Sequence, residues 1–434
     1  MDYNEALIFL QDLCKFGINL GLDRIKKLLA FLDNPQEKIK TIHVAGTNGK
    51  GSTSAILTSI LREAGFKVGV YTSPHLHSYT ERIRINNEDI PPEKFAILMA
   101  EIKEHLFQVK ENTGEAPTEF EVLTALAFKY FSQENVDIAI IEVGMGGRLD
   151  STNVIVPEVA VITPIGKDHL NFLGTTILEI AKEKAGIIKE GVPVVIAKQE
   201  PAIQQVLEQE ALKLGAPIIN SGEAVYQQLD YSREGQRFAL QTTQNHYPEL
   251  TLSLLGDHQL ENATTAIICI EKLMDLGWEI PKEAILKGIA KAYWPGRMEY
   301  LKSTPPILLD GAHNPQGARA LARAIPKYFT YKRVIMVLAI LDDKDKREIL
   351  GSLAPLGDII VVTKVPDNPR NQDWQNITEI PEIKNKEIFF VEEPTKAIDL
   401  ALQMSNEDDL VVITGSLYLL GVSRQYVLKF SPLA

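Results

Sequence analysis

Two cysteines in 434 residues, Cys14 and Cys269, leave no disulfide framework and no thiolate metal cluster to organise the chain. Each sits among apolar residues at helical spacing and reads as a buried free thiol. Positive charge is not in excess either. Lys and Arg number 45 against 57 Asp and Glu, a net charge of −12, which argues against a nucleic-acid or anionic-membrane surface as the main partner. The longest apolar run, Val334 to Leu341, is far too short to span a bilayer. Residues 1–13 carry acids and no basic segment ahead of their apolar stretch, so they do not read as a signal peptide. No internal repeat and no low-complexity tract stands out. These absences leave a cytoplasmic globular protein, too long for one ordinary domain.

What is present is alternation. Residues 3–14 and 22–32 have the spacing of amphipathic helices. Short β-rich runs follow at 40–45, 67–71, 83–85, 137–143, 159–163 and 192–197, interleaved with helical patterns at 51–64, 92–110, 118–134, 175–188 and 201–214. Strands alternating with helices predict a parallel sheet covered on both faces. The stretch 217–255 breaks the rhythm with alternating, hairpin-like runs, and helices are expected at 258–275 and 281–291. Beyond a proline-bearing segment, 292–305, the alternation restarts with strands at 307–310, 333–339, 358–363, 387–391 and 409–413. The expected architecture is α/β: a P-loop-type domain over residues 1–296 and a smaller, Rossmann-like α/β domain over 297–434.

The sharpest motif is Gly46-Thr-Asn-Gly-Lys-Gly-Ser-Thr53, which follows a strand and opens a helix. Its glycines let backbone N–H groups turn towards an anion, the helix N-terminus adds partial positive charge, and Lys50 supplies a point charge. The spacing differs from the standard Walker A loop, because Gly51 separates Lys50 from the hydroxyls of Ser52 and Thr53. The apolar strand Ile138-Ala-Ile-Ile-Glu142 ends in a carboxylate where open α/β sheets place their ligands, and a carboxylate suits the hard cation that accompanies a polyphosphate. Asp310-Gly-Ala-His-Asn-Pro-Gln-Gly317 is a polar strand-to-helix turn able to hold a ribose or phosphate. Arg297, in Trp294-Pro-Gly-Arg-Met-Glu299, lies at the expected junction and could close onto phosphates. Thr414-Gly-Ser416 is a weaker signal. Taken alone, His169 in Thr163-Pro-Ile-Gly-Lys-Asp-His169 reads as a structural histidine, and Lys182 and Lys184 read as a solvated helix face.

Together these blocks resemble the Mur ligase superfamily, specifically its folate branch, folylpolyglutamate synthase/dihydrofolate synthase. The residues that carry the resemblance are GTNGKGST, YTSPHLHSYTERI (71–83), IEVGMGGRLDSTN (141–153), GKDHLNFLG (166–174), EKAGIIK (183–189), HQLENA (258–263), WPGRME and DGAHNPQG, in order along nearly the whole chain. The resemblance implies roles position by position. Thr47, Asn48, Gly49, Lys50, Gly51 and Ser52 would bind the ATP phosphates. Ser73, Glu142 and His169 would hold Mg²⁺, directly or through water. Lys184 matches a lysine that the family carbamylates, and with Lys50 and His169 would form the catalytic set. Asn262, Arg297, Asp310 and His313 would lie at the nucleotide. Asn19, Leu20, Gly21 and Leu22, with Thr118, Glu119, Phe120 and Glu121, and with Leu149, Asp150 and Ser151, would line the pterin side.

The implied reaction is phosphorylation of a substrate carboxylate by ATP, then attack by the amine of L-glutamate on the acyl phosphate. The acceptor would be tetrahydrofolate or dihydropteroate, the protein a monomer. Ser73-Pro-His-Leu76 and Tyr79-Thr-Glu-Arg82 look more like the members that carry out both reactions. Two other readings remain: another Mur-type amino-acid ligase, and a P-loop NTPase acting as a switch.

Overall fold

The structure is a computed structural model that describes all residues except 14–16, 18, 168–172, 366–369, 378–380, 384–385 and 431–434. The chain divides into two compact units. The first holds residues 1–227, 238–251 and 261–292, and the second holds 228–237, 252–260 and 293–434.

The first unit opens with α1 (Tyr3–Leu13) and α2 (Asp23–Phe31). Then come β1 (Thr41–Ala45), α3 (Lys50–Glu63), β2 (Val68–Tyr71), β3 (Ile83–Ile85) and β4 (Glu88–Asp89). The helices α4 (Pro92–Thr113) and α5 (Glu119–Gln133) lead to β5 (Ile138–Glu142) and β6 (Val159–Ile162). After them come α6 (Ile177–Ala185), β7 (Val194–Ile196), α7 (Pro201–Lys213) and β8 (Ile218–Asn220). The sheet order is β4-β3-β2-β5-β1-β6-β7-β8. From β2 to β8 every pairing is parallel. The central strands β1, β5 and β6 are buried at every residue, which is why β6 and the first four residues of β5 are continuous apolar runs, while the polar Thr41 and His43 of β1 are buried with their neighbours.

The expected parallel sheet carries an antiparallel addition at one edge. β2 pairs β3 antiparallel, and β3 pairs β4 antiparallel. Only residues 72–82 separate β2 from β3, too few for a helical crossover, so the chain returns beside itself. On one face, Tyr71, Ile83, Ala139 and Ile141 pack with Leu10, Leu28, Phe95, Leu126 and Phe128 in a single apolar cluster. A second cluster joins Ala160, Ile162 and Val194 to Ile180, Ala185 and Leu207.

The interruption expected at 217–255 is a three-stranded sheet of β9 (Val225–Ser232), β10 (Gly235–Gln241) and β11 (His246–Leu252), in the order β11-β10-β9. α8 (Asp257–Asp275) and α9 (Lys282–Lys291) follow. Cys269 on α8 is free and buried, as its spacing suggested, and burial pushes its thiol pKa up. Cys14 lies outside the described residues.

The second unit contains β12 (Glu299–Leu301), β13 (Ile307–Leu309), α10 (Pro315–Tyr328), β14 (Val334–Leu338), α11 (Lys346–Leu353) and β15 (Ile359–Val362). It closes with β16 (Glu387–Phe390), α12 (Pro394–Met404), β17 (Leu410–Thr414) and α13 (Leu417–Val427). Its sheet runs β12-β13-β17-β14-β15-β16, parallel except for β12, whose link to β13 is too short for a crossover. Met336, Leu338 and Val412 meet Leu321, Ile325, Ile349 and Leu353 in its core. Both units are therefore α/β.

Ile140, in the middle of β5, has no exposed surface. Ile140→Ala is expected to lower the unfolding free energy by about 2–5 kcal/mol, read from the urea midpoint, because the strand is clamped on both sides and cannot collapse into the gap.

Candidate active site

Parallel register aligns the carboxyl ends of four adjacent strands in the first unit. Val44 pairs with Glu142, Tyr71 with Ile141, and Ala45 with Ile162. The residues just beyond those ends are therefore neighbours: Ser73 after β2, Glu142 at the end of β5, Gly46 to Lys50 after β1, and Thr163 to Gly166 after β6.

The glycine loop is held from below by the β6 segment. Gly46 adopts φ +146°, and a Cβ there would lie 1.8 Å from Thr163 Oγ1. Thr47 N and Asn48 N both donate to Pro164 O, at 3.0 and 3.2 Å. The Thr47 hydroxyl donates to Gly166 O and accepts from Gly166 N, both at 3.0 Å. Gly49, at φ +87°, begins α3 in the left-handed region, and a Cβ there would meet Asn262 Oδ1 at 2.4 Å. No side chain caps α3 and its first turn has no acid, so the helix presents its partial positive charge to whatever sits over the loop. Lys50 Nζ donates to Gly46 O at 3.2 Å and to Thr47 O at 3.4 Å, and lies 3.8 Å from Glu142 Oε1.

Lys184 corrects one reading made from the residues. Lys182 is exposed, but Lys184 is buried, 4% exposed, and donates to Gly46 O at 2.8 Å. The ammonium sits beneath the loop because α6 packs its last turn against Gly147, where a Cβ would lie 2.6 Å from Glu183 O and 3.0 Å from Lys184 Cα.

The oxygen set here suits Mg²⁺. One buried carboxylate, Glu142, and one hydroxyl, Ser73, stand at adjacent strand ends beside a phosphate loop, and Mg²⁺ takes few protein ligands and keeps water and phosphate oxygens for the rest. Among the described residues no group of three or more His, Cys, Asp or Glu is assembled for a metal. His169 lies outside the described residues.

The three segments assigned to the pterin side come together in the same unit, through a residue that the sequence did not single out. Arg24, 7% exposed on α2, donates from Nε to Glu121 Oε2 at 3.1 Å, from Nη1 to Glu115 Oε2 at 2.7 Å and from Nη2 to Asn19 O at 2.5 Å. Glu121 Oε2 also accepts the Thr118 N–H and hydroxyl, closing a capping box at the start of α5. Glu121 Oε1 is buried without a hydrogen-bond partner. Phe120 stacks on Tyr71, centroids 5.8 Å apart. Thr124 donates to Phe120 O at 2.7 Å and meets Ser151 Oγ at 2.9 Å, which ties α5 to the third segment. Leu20, Gly21 and Leu22 are half-buried, and Leu149 is exposed.

Asp150 is buried, and burial raises its pKa. Its carboxylate accepts Met145 N, Thr152 N and the Thr152 hydroxyl. Because the Thr152 hydroxyl donates to Asp150, it accepts from His43 Nε2 at 2.9 Å, which makes His43 the Nε2–H tautomer. His43 Nδ1 is left buried and unbonded.

In the second unit, Asp310 accepts from Met298 N and Ala312 N, each at 2.9 Å, and burial raises its pKa against the opposing charge of Arg297. His313 Nδ1 lies 2.8 Å from Gly311 O, and Asn314 caps α10. Burial, then Arg297, lowers His258 to about 4.

Residues 44–270 match the Mur ligase middle domain, and residues 296–417 match the Mur ligase glutamate ligase domain. The chain is 40% identical over 426 residues to a Bacillus subtilis dihydrofolate synthase/folylpolyglutamate synthase, covering 98% of each. It is similar in structure to Mycobacterium tuberculosis folylpolyglutamate synthase complexed with ADP and AMPPCP, with TM-score 0.89, 34% identity and 98% of both chains covered. It is also similar to Escherichia coli FolC in complex with DHPP and ADP, with TM-score 0.88, 31% identity and 98% of both chains covered.

Burial, then the charge of Lys189, lowers His43 from 6.5 to about 3. The unfolded chain therefore takes up a proton below about 6.5 that the folded chain refuses, and stability falls as pH drops through that window. His43→Gln keeps a side-chain N–H for Thr152 but does not titrate. Its unfolding temperature is expected to depend less steeply on pH between 4 and 6.5 than that of the parent, and an unchanged slope would show that His43 does not contribute.

Proposed function

The chain belongs to the Mur ligase family, in its folylpolyglutamate synthase/dihydrofolate synthase branch, and we propose that it joins L-glutamate to tetrahydrofolate and to dihydropteroate, with ATP converted to ADP and phosphate. The enzyme is an ATP-dependent acid–amino-acid ligase. The observation that carries the reading is the strand-end alignment of an uncapped α3 N-terminus, Lys50 and Glu142, beside a unit segment where Arg24 and Glu121 offer a buried, unsatisfied carboxylate oxygen.

In the proposed mechanism a substrate carboxylate oxygen attacks the γ-phosphorus and ADP leaves. The glutamate amine then attacks the carbonyl carbon of the acyl phosphate, gives up a proton, and phosphate departs. No protein nucleophile is needed. The backbone N–H groups of Gly49 to Ser52 and the Lys50 ammonium neutralise the charge that gathers on the transferring phosphoryl group. Within the first unit Asn262 is proposed to contact the nucleotide, and the resemblance assigns nucleotide roles to Arg297, Asp310 and His313 of the second unit as well. Mg²⁺ would be held by Ser73 and Glu142, with His169 as the resemblance implies, and would supply charge neutralisation on the phosphates. Addition of CO₂ to the deprotonated Lys184 amine, the carbamylation that the resemblance implies, would turn a buried cation beneath the loop into a carboxylate-like group. Glu121 accepts an N–H from the pterin ring, the flat apolar face of Phe120 stacks beside it, and Asp150 is fixed by Thr152 and His43 to take a second donor. The low cysteine content fits a reducing compartment, and the protein is proposed to act as a cytoplasmic monomer.

ADP release with ATP, Mg²⁺ and L-glutamate tests the reading. Turnover is expected with dihydropteroate and with tetrahydrofolate and not without an acceptor. Turnover with tetrahydrofolate alone would restrict the enzyme to tail extension. Release independent of glutamate would instead favour a nucleotide switch. Lys50→Ala is expected to lower kcat by about 10²-fold or more, the usual scale for removing a charge-stabilising group from a transition state.

A further inference from the structure

The nucleotide reading of Arg297 leaves open what holds that residue in place. Arg297 sits in a tight turn, Trp294 to Met298, whose backbone is unusual: Met298 is buried and adopts φ +47°, a left-handed conformation that a side chain other than glycine enters only when its surroundings impose it. Two clamps impose it. On one side Asp310 accepts Met298 N, and Gly311 N donates to Gly296 O at 2.8 Å. On the other side stands Glu299, with a side chain only 3% exposed.

Every acceptor direction of the Glu299 carboxylate is occupied. Gly296 N donates to Oε2 at 2.9 Å and the Tyr293 hydroxyl donates to Oε1 at 2.6 Å. Arg424, on α13 and 125 residues away, donates from Nε to both oxygens at 3.0 and 2.9 Å and from Nη2 to Oε1 at 2.9 Å. The same Nη2 donates to the Tyr293 hydroxyl at 3.0 Å. A buried ion pair of this kind contributes little to stability compared with apolar side chains of the same volume, because both charges lose their water. What it supplies is direction: the planar guanidinium fixes the carboxylate, and the carboxylate fixes Gly296, the residue before Arg297. The Arg297 guanidinium then lies against Gly311, where a Cβ would come 3.1 Å from Nη1.

We propose that Glu299 and Arg424 are positioning residues for the ligase reaction, holding the Trp294–Met298 turn so that Arg297 presents its guanidinium to the nucleotide. This rests on the reading that Arg297 contacts ATP. Arg424 touches no substrate and acts only through the turn, so its removal should be felt as a loss of ATP binding and should vanish once Arg297 is gone.

A double-mutant cycle on the full chain tests this. KM for ATP, KM for glutamate, kcat and unfolding temperature are measured for the parent, Arg424→Met, Arg297→Ala and the double variant. Arg424→Met is expected to raise the ATP KM by about tenfold, the scale of losing one charged hydrogen-bonding partner, with the glutamate KM unchanged. In the Arg297→Ala background the same substitution should change the ATP KM by less than about twofold. Arg424→Lys keeps the charge but not the fork and should fall between. Tyr293→Phe removes one hydroxyl from the cluster and serves if Arg424→Met does not fold. It should raise the ATP KM by a few-fold, again only when Arg297 is present. Additive effects of Arg424→Met and Arg297→Ala, or a lower unfolding temperature with an unchanged ATP KM, would overturn the proposal. If Arg297→Ala itself leaves the ATP KM unchanged, the nucleotide reading of Arg297 falls, and the positioning role with it.

Discussion

The contact between Gly46 and Thr163 sets the position of everything at the loop. A Cβ on Gly46 would overlap the Thr163 hydroxyl, so the two backbones can approach only because nothing stands between them. That approach lets Pro164 O take two consecutive N–H groups of the loop, and it fixes where α3 begins. The Gly46 carbonyl turns away from the loop interior and is covered by Lys50 and Lys184. The helix start, the lysine and the carboxylate of Glu142 are then placed by strand register alone. A slip by one residue would turn every side chain of these strands to the opposite, equally buried face and into a different apolar cluster, and that fixes the register.

The two sides of the first unit solve different physical problems. At the loop the proposed partner is a polyphosphate, and there the protein offers backbone dipoles and ammonium groups and leaves the helix uncapped. On the proposed pterin side it offers a carboxylate instead, and a buried carboxylate must be held. Arg24 does this with three separate acceptors, a task for which a lysine has no planar fork. Asp150 is held differently, by backbone N–H groups and a hydroxyl that is itself ordered by His43. Ordered donors in series polarise one another, and both oxygens of the buried Asp150 carboxylate are engaged in the chain.

Much of this was legible in the residues. The apolar runs Ile138–Ile141 of β5 and Val334–Leu338 of β14 read as strands buried on both faces, and the glycine loop announced itself by standing between a strand and a helix. What could not be read were partners distant in the chain. Arg24 and Glu121 are 97 residues apart, and neither residue is unusual in its local setting. Nothing in the strand around His43 points to its bond with Thr152, 109 residues away. The antiparallel turn at β3 was hidden because a short link, not a strand pattern, decides it. α13 was also unannounced, although Ser416 directly before it accepts from Tyr418 N and caps its first turn.

The division into units has a consequence for synthesis. The chain passes from one unit to the other five times, between residues 227 and 228, 237 and 238, 251 and 252, 260 and 261, and 292 and 293. A nascent chain that has emerged as far as residue 260 carries two strips of the second unit whose remaining partners have not yet been translated. Domains that emerge in sequence can fold in sequence, but here the first must close while holding pieces of its successor. Transplanting the second unit by joining at residue 293 would leave those strips behind, so gene fusion or recombination at that seam cannot move it as a module.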